Sequence, residues 1–137
     1  MNIVRVPRLV KPGDLNHHGS LYAGRAAEWF VEACYLCAAQ APDLPGTMVC
    51  LAIRDLVLSK PVRGGERIQI ETRPVKAGRT SLTIYGKITT RSGPARAEGF
   101  VTFVCVGKSG RPVAHRLRLD PPRDAEEKEI QRKARNF

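Results

Sequence analysis

The sequence predicts an α+β domain of two layers, one long helix lying on an antiparallel sheet of five or six strands. Three observations carry this. Leu21 to Gln40 is rich in alanine and holds no strong helix breaker except Gly24. After it, segments of alternating apolar and polar residues recur between turns bearing Gly or Pro. The chain has 137 residues, 42% of them apolar, which supplies one core and is too little for two ordinary domains. No stretch recurs at a fixed period, so a repeat array is excluded.

The elements follow in order. Asn2 to Val10 is alternating and β-branched and reads as a first strand, with Pro7 marking it as an edge. Lys11-Pro12-Gly13-Asp14 is a turn. A polar loop, Leu15 to Ser20, leads into the helix over Leu21 to Gln40, with Ser20 as its N-cap and Ala41-Pro42 as its end. Met48 to Ser59 is the next strand, and Pro61 to Gly65 a turn. Arg67 to Thr72 alternates cleanly, and Lys76 to Arg79 is a hairpin turn. Leu82, Ile84 and Ile88 share one face of a further strand, and Arg91 to Pro94 turns again. Ala97 to Val106 is the most apolar strand, and Lys108 to Arg111 turns into a short last one. The domain is read as residues 1–119, with a charged tail over 120–137. Asp124 to Glu127 resembles a capping box, but the tail has almost no apolar stripe, which predicts a solvated helix or a frayed end.

Charge limits the partners. The net charge is +10, and the last fourteen residues are neutral, so the whole excess lies on residues 1–123. Such a body attracts anions: nucleic acid, an anionic membrane face or a phosphorylated small molecule. No aromatic strip is interleaved with the bases, which speaks against nucleic acid. No run of 18 apolar residues exists, so no membrane-spanning helix is expected, and the N-terminal stretch lacks the apolar core of a secretory signal. The cytoplasm is the expected location. Cys34, Cys37, Cys50 and Cys105 lie in apolar surroundings without a second CxxC pair or a neighbouring His, so buried, reduced thiols are expected and no metal site.

The helix is apolar nearly all round, which predicts burial, yet Arg25, Glu28 and Glu32 interrupt it at spacings of three and four. Two readings are open. In one, Arg25 pairs with Glu28 while Glu32 faces solvent or a subunit seam. In the other, the stripe lines a cleft and Glu32 or Glu28 acts as base or nucleophile. The preceding loop gathers Asp14, Asn16, His17 and His18 at the helix N-terminus, where unpaired backbone N–H groups can hold oxyanion charge.

The run Asp14-Leu15-Asn16-His17-His18-Gly19-Ser20-Leu21-Tyr22-Ala23-Gly24, ahead of a helix with Glu32-Ala33, resembles hotdog-fold acyl-CoA thioesterases, the 4-hydroxybenzoyl-CoA thioesterase-like superfamily. Their signature is similar to D-x-N-x-x-G-x-x-x-G-G; Asp14, Asn16, Gly19 and Gly24 match, and Ala23 stands for the first of the paired glycines. Lys60-Pro61-Val62 and Lys76 to Ser81 resemble later stretches of the family. The loop also resembles the D-x-N-x-H pattern of plant acyl-carrier thioesterases, through Asp14, Asn16 and His18. Many members of the group carry a helix carboxylate one position before Glu32, where this chain has Val31. Glu32 after a small rotation, Glu28, or no acid at all are the alternatives this leaves.

The resemblance implies a hotdog fold and hydrolysis of an acyl-CoA to a carboxylic acid and CoA at a dimer interface. Dimers would stand alone or pair into tetramers or hexamers, with no cofactor beyond the substrate's own CoA. It implies catalytic roles for Asp14, Asn16, His18, Gly24, Glu28 and Glu32. It implies CoA contacts from Lys60, Arg63, Lys76, Arg79, Thr80 and Ser81, with Lys108 and Arg111 as further phosphate contacts. The alternatives are a non-catalytic acyl-CoA-binding hotdog protein, suggested by Val31, and a hotdog enoyl-CoA hydratase. The latter is resembled only through Gly13-Asp14-Leu15-Asn16, with Gly19 where its His would stand.

Overall fold

Alternation along the strands decides which face is buried. A computed structural model describes residues 2–137. Its elements are β1 (Val4–Leu9), a 3₁₀ turn (Pro12–Asp14), α1 (Ala23–Ala38), β2 (Thr47–Val57), β3 (Arg67–Ala77), β4 (Ser81–Thr89), β5 (Ala97–Val106) and α2 (Ala125–Ala134). The five strands form one antiparallel sheet in the order β1-β3-β4-β5-β2. The register aligns Val6 with Ile70, Ile70 with Ile88, and Ile84 with Val101, so every second residue contributes to one apolar face. Helix α1 lies on that face and buries Ala26, Trp29, Phe30, Ala33, Cys34 and Cys37. A side chain at Gly86 would come within 2.7 Å of the Phe30 ring, so a bare strand position lets the helix seat closely.

Four expectations change. The helix has 16 residues rather than about twenty, a length of about 24 Å. Its N-cap is Tyr22, without a side-chain cap bond, and not Ser20, whose hydroxyl is engaged by Asn16. No sixth strand forms among the described residues; the segment after β5 makes only a single bridge, Val106 to Pro112. The thiols of Cys34, Cys37 and Cys105 are buried, but Cys50 is exposed on β2. Burial pushes the Cys37 thiol up to about 11 and Cys34 well above its ordinary value, which makes both poor nucleophiles.

The tail is a docked element rather than a solvated one. Ile130 and Ala134 of α2 pack with Val75, Tyr85 and Phe100 on the other face of the sheet, joined by Phe137. The Phe137 ring meets Phe100 edge-on at 4.9 Å, and Lys76 donates to its main-chain oxygen. The apolar contacts come from three residues at spacings of four and three, too few to register against the surrounding charge. Asp124 caps the helix by accepting from the Glu127 amide at 2.8 Å. Glu127 itself is buried between Arg73 (3.0 Å) and Arg123 (2.7 Å).

The hydrogen bonds from Arg123 hold the Glu127 carboxyl below its ordinary range. A depressed carboxylate contributes stability above its unfolded value, near 4.5, and that contribution is lost as pH falls through the folded value. Amides of α2 are therefore expected to lose hydrogen-exchange protection as the pH falls below about 4.5, before those of β4, once intrinsic rates are corrected. Unchanged α2 protection below that pH, or an equal loss in Glu127→Gln, contradicts the assignment. Among the described residues no helix is long and apolar enough to cross a membrane.

Candidate active site

The loop before α1 is built around two side chains. Asp14 is buried; one carboxylate oxygen accepts the Lys11 amide at 2.9 Å, and the other faces the Arg25 guanidinium at 3.4 Å. Its carbonyl accepts the Tyr22 amide at 2.9 Å. Asp14 thereby fixes the entry of the chain into α1. Asn16 closes the loop on itself. Its side-chain oxygen accepts from the amides of His18 (2.9 Å) and Ser20 (3.2 Å), and its NH₂ donates to the Ser20 hydroxyl at 3.1 Å. His17 and His18 are exposed at the tip, with ring centroids 4.0 Å apart.

At the head of α1, the amides of Ala23 and Gly24 meet no acceptor among the described residues. They are the orphan donors of a helix N-terminus, with the positive end of the dipole behind them. The Tyr22 ring lies over Gly24, so a side chain there would strike it at 2.5 Å.

Beside this helix end is a cleft of about 270 Å³. Leu21, Ala26, Leu58, Val62 and Ile88 give it an apolar wall; Asn16, Ser20, Ser59, Lys60 and Arg96 give it a polar rim. Arg96 is held by the Pro61 carbonyl at 2.7 Å and by Glu66 at 3.4 Å. Ser59 and Arg96 were not among the sequence candidates. Their partners are some 35 residues away along the chain, and no local pattern joins them. A larger cleft of about 390 Å³ lies by α2, but Arg73 and Arg123 on its wall pair with Glu127, and Arg5 with Glu71. Its charges already serve the docking of the tail.

The two helix carboxylates are not buried, which corrects the expectation of a greasy rod enclosed on all sides. Glu28 is 64% exposed and 3.9 Å from Arg25. Glu32 is 54% exposed and bonded to Arg8 of β1, which also covers the Trp29 ring at 5.1 Å. At about 100° per residue, Ala23, Ala27 and Val31 form the stripe that starts at the cleft. Glu28 and Glu32 lie on another, and the bond from Arg8 turns Glu32 toward β1. A small rotation therefore does not carry Glu32 to the position of Val31. Glu28 is one turn, about 6 Å, beyond Gly24.

The candidate CoA contacts divide. Lys60 is on the cleft rim. Arg63 is next to it in the chain's fold, bridged to Ser20, with its amide donating to Glu66 at 3.1 Å. Lys76 points to the tail, where it donates to Phe137. Arg79, Thr80 and Ser81 are at the β3–β4 hairpin, the opposite end of the sheet from Ile88, about 23 Å along β4. One chain does not bring hairpin and cleft together. Among the described residues no group of three or more His, Cys, Asp or Glu side chains is placed to hold a metal ion.

Comparison with known proteins fits this geometry. The chain resembles an acyl-CoA hydrolase from Bacillus cereus, with a TM-score of 0.88 and 27% identity over 98% of this chain and 82% of that one. It resembles an apo-hexameric acyl-CoA thioesterase with a TM-score of 0.86, 24% identity, and coverage of 98% and 86%. It also resembles an acyl-CoA hydrolase from Staphylococcus aureus, solved with butyryl coenzyme A and coenzyme A, with a TM-score of 0.83, 21% identity, and coverage of 98% and 80%. The latter two likenesses are of fold alone. No curated protein matches the chain. The model of the thioesterase superfamily matches residues 18–97, which run from the loop histidine through α1 and the cleft wall to the first residue of β5. With its hotdog arrangement of helix and sheet, this chain belongs to the thioesterase superfamily.

Proposed function

We propose that the protein hydrolyses acyl-CoA thioesters at a site completed by a second copy of the chain. The observation that carries this is the pair of uncovered amides, Ala23 and Gly24, at the edge of an apolar cleft. The acyl chain occupies the cleft against Leu58, Val62 and Ile88. The thioester oxygen accepts from the two amides, which strengthens its polarisation as negative charge develops. Glu28, one helical turn away and only loosely engaged by Arg25, takes a proton from water. The resulting hydroxide adds to the carbonyl carbon, the C–S bond breaks, and the thiolate of CoA leaves and takes up the proton. Asn16 keeps the loop in shape, and His18 at its tip positions the leaving thiol. The reading needs no cofactor besides the CoA of the substrate. Four unpaired cysteines suit a reducing, cytoplasmic setting.

The second copy is argued from β2. This edge strand exposes Val49, Leu51, Ile53 and Val57, with Leu58 just beyond, and a long apolar edge calls for a partner strand. Two-fold antiparallel pairing of β2 with its copy sets the cleft end, at Leu58 to Lys60, beside the partner's Thr47 end. Thr47 neighbours Val106, and Val106 is at the hairpin end of the sheet. Arg79, Thr80 and Ser81 of one protomer then approach Lys60 of the other. A hexamer of such dimers is consistent with the hexameric relative. Ile53→Lys is expected to yield a folded monomer in sedimentation and to abolish turnover; a dimeric, active variant contradicts the composite site.

A specific observation favours a second reading. Val31, partly buried against the core, is where many of the thioesterases it resembles carry an acid, and Glu32 is committed to Arg8. That arrangement suits an acyl-CoA-binding protein without turnover. A thiol-release assay over short, long and aryl acyl-CoAs decides. Release above background supports hydrolysis. Calorimetric binding of the same esters with background release supports the binder, and neither result removes both.

A further inference from the structure

The two clefts differ in charge. The larger one, by α2, sets Asp120 and Glu127 against its three arginines. The smaller one, at the head of α1, carries Lys60 and Arg96, and no carboxylate is among the described residues that line it. Ala23 lines it too, so the positive end of the α1 dipole lies beside it. An uncharged acyl chain fits the buried floor of Leu21, Val62 and Ile88 but gives this positive charge nothing to meet.

Arg96 stands one residue before β5, and its main chain is fixed on both sides. Its amide donates to the Ile88 carbonyl at 2.7 Å, and its carbonyl accepts the Lys60 amide at 3.2 Å. Its side chain is 19% exposed. Nη1 donates to the Pro61 carbonyl at 2.7 Å and to Glu66 at 3.4 Å. Nε and Nη2 bond nothing among the described residues, and neither is buried. These two nitrogens share one edge of the planar group. Their N–H bonds run side by side and form the fork that takes both oxygens of one carboxylate. One nitrogen thus anchors the guanidinium to the protein, and the opposite edge is left for a ligand.

We propose that the protein prefers acyl-CoAs whose acyl group ends in a second carboxylate, with Arg96 as the specificity-determining residue. The proposal rests on the acyl-CoA reading above for its site, but not on hydrolysis. The methylenes lie along the apolar floor, and the terminal carboxylate takes the Nε–Nη2 edge of Arg96, with Lys60 adding charge from the rim. A chain that ends in a methyl group covers Arg96 instead and leaves its donors without an acceptor. Volume sets the length. A cavity of about 150 Å³ holds one benzene ring, so the cleft of about 270 Å³ suits an acyl group of about six carbons.

Adipyl-CoA, its ω-methyl ester and hexanoyl-CoA share one six-carbon chain and one CoA, so they isolate the terminal charge. The wild type is expected to favour adipyl-CoA over the other two by roughly 10- to 100-fold in kcat/KM, from hydrogen bonds between charged groups. Arg96→Gln is expected to bring that ratio close to one. Arg96→Lys keeps the charge without the fork and restores part of it. If Arg96→Gln does not fold, the wild-type ratio and Arg96→Lys decide. Equal kcat/KM for the three esters in the wild type overturns the proposal and leaves hydrolysis standing. An unchanged preference in Arg96→Gln also overturns it. A loss of one size for all three esters assigns Arg96 to the CoA phosphates and overturns it as well. Tighter calorimetric binding of adipyl-CoA than of hexanoyl-CoA, with no thioester turned over, removes hydrolysis and leaves the preference standing. Neither binding nor turnover of any of the three overturns both.

Discussion

Glu28→Gln is expected to lower kcat for acyl-CoA by about 10²- to 10⁴-fold, the usual worth of a general base, with KM little changed. Glu32→Gln is expected to stay within about threefold of wild type. The contrast follows from placement. Glu28 is one turn from the uncovered amides and its contact with Arg25, at 3.9 Å, is loose. Glu32 is held by Arg8 across the face of Trp29, toward the β1 edge. A kcat measurement on both variants, with circular dichroism to show that each is folded, checks this. Equal losses, or a loss confined to Glu32→Gln, reverse the assignment. If neither changes a measurable wild-type rate, the attacking water is activated by another group.

Phe30→Ala is expected to cost about 3–5 kcal/mol of unfolding free energy, the range for deleting a buried aromatic ring. Phe30 is fully buried at the centre of the helix–sheet interface and sits directly over Gly86. Gly86 has no side chain to move into the space, so the cavity persists and its walls lose their contacts. A loss of this size is a large share of the 5–15 kcal/mol that a domain of this kind typically has. Urea unfolding measures it, through a lower midpoint at unchanged slope. A change under about 1 kcal/mol means that α1 does not depend on this contact. The complementary change, Gly86→Val, forces a side chain into the same space and is expected to destabilise by overpacking.

Much of the fold is legible in the chain. Leu82, Ile84 and Ile88 alternate, and β4 buries all three. The turns at Pro61 to Gly65 and at Lys76 to Arg79 carry their own Gly and Pro signals. The loop Asp14 to Gly24 is recognisable because its work is local: Asp14 bonds Lys11, and Asn16 bonds His18 and Ser20. Hydrogen bonds that span two to four residues leave a motif.

What departs from expectation has one cause. An apolar helix sequence implies burial on all sides, but a two-layer domain covers only one side of its helix. Glu28 and Glu32 take the open side, along with Tyr22, Tyr35 and Leu36. Ile130, Ala134 and Phe137 are too few to mark the tail as a packed helix, yet they cluster with Val75, Tyr85 and Phe100, which only the folded sheet brings together. Lys76 has the right charge and neighbours for a phosphate contact, and its partner is instead Phe137, 61 residues on.

By itself the sequence determined the layers, the strand periodicity, the loop at the helix entry and the excess of positive charge, because each is written in neighbouring residues and in composition. Tertiary structure alone decided which charges are spent and which are free. It paired Arg8 with Glu32 and Arg73 with Glu127, and put the hairpin at the far end of the sheet from the cleft. The physical reason is distance: an ion pair acts over a few ångströms of space, whatever the separation along the chain.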